Sequence, residues 1–181
     1  MSSQMGILYL ADTNHVVAAF TRAAEPAQVE TVPDSFVGAG YHIRPVPDST
    51  VTSTDRADFV VSAKNLKFTE VVLDPAIVAA PRSYYMDTGT PPSPQLISNP
   101  ASGLPVSGAS PITLPNDPIP SLPSYALLVQ LSSSSPTQYS SGPLNASANT
   151  TVYLSSLPPG TYHVLLCVPG YPLKWIDVSV S

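Results

Sequence analysis

Charge is the scarcest commodity in this chain: 10% of residues are Asp, Glu, Lys or Arg, where an ordinary globular domain carries about 25%. The deficit is worst in the second half, where residues 91–181 contain Asp117, Lys174 and Asp177 and no other formal charge. A surface this poor in ions must be covered by Ser, Thr, Asn, Pro and backbone. It does little to hold copies apart in solution, which suits a subunit packed into an assembly as well as it suits a β domain with a Ser/Thr surface. The seven cations (Arg22, Arg44, Arg56, Lys64, Lys67, Arg82, Lys174) form no stripe and the net charge is −5, so nucleic acid is not an expected partner.

Other absences narrow the function. A single cysteine, Cys167, excludes an internal disulfide and any multi-cysteine metal site. No apolar run reaches the ~20 residues that a membrane-spanning helix needs. The opening "MSSQMGILYLADTNH" has no basic region and only a short apolar run. The expectation is therefore a chain made in the cytoplasm without a signal peptide. On that ground "NAS" at Asn145 and "NTT" at Asn149 read as polar loop residues rather than glycosylation sites.

Catalytic signatures are missing too. There is no GxSxG, HExxH, P-loop or GxGxxG pattern. Cys167 follows His163 by four residues, which on a strand places them about 13 Å apart at roughly 3.3 Å per residue, too far for a thiolate–imidazole pair. Cys167 then reads as a small apolar filler. Asp12 and His15 are close enough for a local hydrogen bond round a turn, which is an ordinary cap; a hydrolase would have to depend on that pair. The three histidines, His15, His42 and His163, lie too far apart in the sequence to suggest zinc. No enzyme activity, catalytic residue, metal or cofactor is expected.

What is present is strand patterning and proline. "GILYLADTNHVVAAFTR" (6–22) reads as a β-hairpin turning at "DTN", because Asp and Asn bond their local backbone and tolerate left-handed angles. A helix through "HVVAAFTRAAE" is the rival, disfavoured by β-branched Val16 and Val17. "YHIRPV" (41–46) is a short edge strand. Phe59–Ala63 and Leu66–Leu73 are strands, with imperfect alternation in the second suggesting a bulge near Thr69 and Glu70. "SYYM" (83–86) adds a short element.

Between residues 88 and 124 ten residues are proline. Each removes a donor and fixes φ, so neither a long helix nor a central strand can persist there. This segment reads as an extended connector: an arm across a neighbouring subunit, a plain linker, or a loop wrapped on its own chain. The expectation is that deleting 91–120 leaves both modules folded and reduces assembly; collapse of the modules would place the segment in the core.

Strand signals return with "YALLVQL" (125–131). A Ser/Pro/Asn-rich stretch (132–150) follows, mostly loop with room for a weak strand, and then "TVYLSSL". The closing "LPPGTYHVLLCVPGYPLKWIDVSV" is a hairpin. Tyr162, Val164, Leu166 and Val168 share one face, and His163, Leu165 and Cys167 the other. "PGYP" turns the chain. Ile176, Val178 and Val180 then alternate with Trp175, Asp177 and Ser179.

The run Leu157–Tyr162, then Gly170 and Tyr171, then Asp177–Val180 resembles the ends of small immunoglobulin- or transthyretin-like β-sandwich modules of the carboxypeptidase-regulatory-like and PEGA types. The resemblance covers about the last quarter of the chain. It implies a fold and an accessory, adhesion or assembly role, with no catalytic residues to carry over.

The expected architecture is mainly β: an N-terminal β module (1–87), a Pro/Ser-rich extended arm or linker (88–124) and a C-terminal antiparallel β-sandwich module (125–181). The expected function is a non-enzymatic structural subunit making protein–protein contacts, as a homo- or hetero-oligomer, in a phage-tail-like, capsid-like or contractile-injection-type particle or virion. Tyr84, Tyr85, Tyr171 and Trp175 are the candidate interface residues, since Tyr and Trp are enriched where surfaces meet. The alternative is an accessory module that binds carbohydrate or another ligand through its aromatics.

Overall fold

The computed structural model describes residues 3–21, 41–43, 59–87, 89–105, 107–109, 112–113, 125–132, 135–140, 151–152 and 159–181. Asn145, Asn149 and Leu157 lie outside them, as do Pro45 and Pro47. The protein is mainly β, and its one α-helix among the described residues, α1, is five residues long (Pro75–Ala79). The chain divides into two compact units, Met1–Ile43 with Val60–Ile97, and Arg44–Phe59 with Ser98–Ser181.

The first unit is built on β1 (Gln4–Leu10), flanked antiparallel by β2 (Val16–Thr21) and β5 (Leu66–Val72). The β1–β2 hairpin takes the strand alternative for Val16–Thr21. Its turn works through Asn14, whose φ of 56° is left-handed, the conformation that Asn tolerates better than most residues. The expected bulge near Thr69 and Glu70 is absent. β1 and β5 run in unbroken register from Gln4↔Val72 to Leu10↔Leu66, and the irregularity falls instead on β1–β2, between Leu8 and Tyr9. Parity in β5 breaks for a different reason: Val71 packs into the core while its neighbour Val72 points the other way and is 68% exposed.

Met5, Ile7 and Tyr9 on one face of β1 form a core with Val16, Ile77 of α1, and Met86. α1 starts where the Asp74 carboxylate accepts the Ala76 N–H (2.9 Å), with Pro75 pre-set for the first turn. Leu8 and Leu10, on the other face, are buried as well. On that face Gly6 sits opposite Phe20, and the Phe20 and Phe68 rings stack at 5.9 Å and 15°. A Cβ on Gly6 would meet those rings at 2.6 and 2.7 Å. Glycine here is a clearance between strands that two aromatic rings close over. The sequence-expected strand Phe59–Ala63 is shortened to β4 (Phe59–Val61), which pairs with β3 (Tyr41–Ile43), and a 3₁₀ turn at Ala63–Asn65 leads into β5. β6 (Tyr84–Asp87) pairs antiparallel with β7 (Ser93–Leu96).

The second unit centres on β13 (Gly160–Cys167) and β14 (Lys174–Val180), the hairpin read from the sequence. Its turn is closed by Tyr171 N–H donating to the Val168 carbonyl (3.0 Å), with Gly170 at φ 81° after Pro169. That is the pattern of a type II turn, which needs Gly at its third position. β10 (Tyr125–Ser132) pairs with β13, β11 (Ser135–Ser140) with β10, and β8 (Ser107–Ala109) joins β14 in parallel, giving the order β11-β10-β13-β14-β8. A separate antiparallel pair joins β9 (Ile112–Thr113) to β12 (Thr151–Val152).

The proline-rich segment supplies three of these short strands: β7 to the first unit, β8 and β9 to the second. None is central in its sheet, and β7, the one of the three that contains a proline, belongs to a two-stranded sheet. Part of the segment is also core. Leu104 and Ile112 are 2% and 4% exposed and pack with Tyr162, Val164, Leu166, Ile176 and Val178. Lys174 Nζ donates to the Leu104 carbonyl (3.1 Å) and ties this stretch to β14.

Three outcomes test this packing. Leu166→Asp puts an unpaired charge at a fully buried position and should cost about 3–5 kcal/mol; an unchanged melting curve would mean the site is exposed. Deleting 91–120 should destabilise the second unit, because it removes Leu104 and Ile112; a native melt after deletion would refute the core placement. Gly6→Val should cost about 1–3 kcal/mol in denaturant unfolding. Less of that cost should appear when Phe68→Ala is already present, as a double-mutant cycle would show.

Candidate functional site

A concavity lies within the first unit. It is an open groove of about 720 Å³ between the end of β5 with the start of α1 (Glu70–Pro75 and Ile77) and the β6–β7 hairpin (Tyr84 and Pro91–Pro94). The local chemistry explains its walls. Asp74 and Pro75 stop β5 and start α1 within two residues, so the chain turns away and leaves a step. The prolines after β6 are stiff and cannot fill it with a ladder. Asp87 Oδ1 accepts the Gly89 N–H (3.1 Å), which fixes the start of the connection between the two strands.

The groove is apolar at its walls, with Glu70 and Asp74 as the ionic groups among the lining residues. The Asp74 carboxylate is engaged in capping α1. The exposed large apolar side chains among the described residues are Val72 at 68% and Leu96 at 63%; Val72 lines the groove, and Leu96, on β7, is the ladder partner of Tyr84, which also lines it. The arrangement suits contact with another apolar surface. Among the lining residues no histidine, cysteine or cation stands beside a nucleophile.

The four aromatic residues singled out from the sequence are not one site. Tyr84 is half-buried, packs against the core of the first unit and lines the groove. Tyr85 is half-buried on the same strand, where its backbone bridges to His15. Tyr171 and Trp175 belong to the second unit. Trp175 is half-buried opposite Leu165. Tyr171 is 8% exposed and sits in the core, its ring pressed so closely on Gly103 that a Cβ there would lie 2.7 Å away. Within this unit Tyr171 is a packing residue. The type II turn folds its ring back onto the hydrophobic face of β13.

The residues considered for catalysis are also placed. His15 is wholly buried and its Nδ1 lies 2.8 Å from Thr13 Oγ1, while Asp12 is exposed. Thr13, Asn14 and His15 form a buried polar turn that Met86 N–H joins by donating to the Asn14 carbonyl (2.8 Å). Cys167 is a free thiol, wholly buried, and burial pushes its pKa far above the usual thiol range. It behaves as the apolar filler read from the sequence. Burial also raises Tyr9. Among the described residues no group of three or more His, Cys, Asp or Glu could hold a metal ion, and no helix is long and apolar enough to cross a membrane.

The groove escaped the sequence reading. Its single legible trace was Val72, the second of two adjacent valines, one of which must leave the core in a strand of period two. No family model, curated protein or solved structure matches this chain.

Cys167 gives a pH test. Its folded pKa is raised, so the folded state keeps a proton that the unfolded chain releases above about pH 8.5. Stability from this group is fully present below that pH and falls as pH rises beyond it, by up to about 1.4 kcal/mol per pH unit. Urea midpoints should therefore fall more steeply with alkaline pH in the native sequence than in Cys167→Ala. Parallel slopes would show that the thiol is accessible.

Proposed function

We propose that this chain is a non-enzymatic structural subunit that makes protein–protein contacts in a larger assembly. The observation that carries the reading is the open apolar groove of the first unit, with Val72 exposed among its lining residues and Leu96 exposed on the neighbouring β7. Large apolar side chains left in water next to a concave apolar wall mark a contact surface. The low charge of residues 91–181 acts in the same direction, since little electrostatic repulsion opposes close packing of copies. Phage-tail-like, capsid-like and contractile-injection-type particles are the classes this composition suits, by analogy.

The second unit adds a scaffold reading. In an immunoglobulin-like sandwich, consecutive strands F and G pair, C lies beside F, C′ beside C, and B pairs with E in the opposing sheet. The order β11-β10-β13-β14-β8, with β9 paired to β12, follows this scheme if β13 and β14 are F and G. This supports, as part of the proposal, the sandwich that the closing sequence resembles. The modules that the closing sequence resembles serve accessory, adhesion or assembly roles, which is the role this reading gives the second unit.

The test is sedimentation velocity at micromolar concentration in moderate salt. The native chain should run well above its 19.0 kDa monomer mass. Val72→Asp and Leu96→Asp should shift it towards monomer without changing its melting temperature, because both side chains are already in water. A native chain that stays monomeric at every concentration would overturn the proposal. A monomer retained by a glycan array would put ligand binding in its place.

A further inference from the structure

We draw no further inference here: the strongest candidate, the open groove between the end of β5 and the β6–β7 hairpin, belongs to the surface already described, and nothing in the structure shows what covers it.

Discussion

Each unit depends on one strand that is covered on both faces. In the first unit β1 is buried from Met5 to Leu10. In the second, Tyr162, Val164 and Leu166 face a hydrophobic core while Leu165 and Cys167, on the opposite face, are fully buried too. A strand covered on both sides has no place for an ionised side chain, because burying one without a partner is far too costly. The runs "MGILYL" and "VLLC" meet that demand with no charge at all. Each of these two strands also sets its immediate neighbours: β2 and β5 pair with β1, and β10 and β14 pair with β13.

That constraint also explains what could be read in advance. The two hairpins were legible because their turn residues have little choice. Asn14 and Gly170 hold positive φ, and the flanking strands carry enough apolar residues to bury. The mainly β character was legible for the same reason. The fate of the proline-rich segment was not. Proline says which structures a segment cannot form, and it is silent on whether Leu104 and Ile112, isolated apolar residues among serines and prolines, find a core. The pairing of β8 with β14 and the Lys174–Leu104 hydrogen bond hold Leu104 there, and the pairing of β9 with β12 holds Ile112.

The aromatic residues show the same limit on the functional side. Tyr84 and Tyr171 look alike in the sequence, each a tyrosine near a turn. Tyr84 borders a groove, whereas Tyr171 is folded under its own turn onto Gly103. What separates them is the direction in which the turn sends the ring, a property of φ at Gly170 and not of residue type. The groove itself is a gap left by the way β5, α1 and the β6–β7 hairpin pack, so no local pattern announces it.

The clearance at Gly6 reaches furthest along the chain. Phe20 and Phe68, far apart in the sequence, are neighbours because the residue between them has no side chain. Three positions on three strands thus share one small volume. Across evolutionary time they form a single heritable unit: a bulkier residue at the first can be accepted only with a smaller ring at one of the others, so homologous sequences would show them drifting in concert.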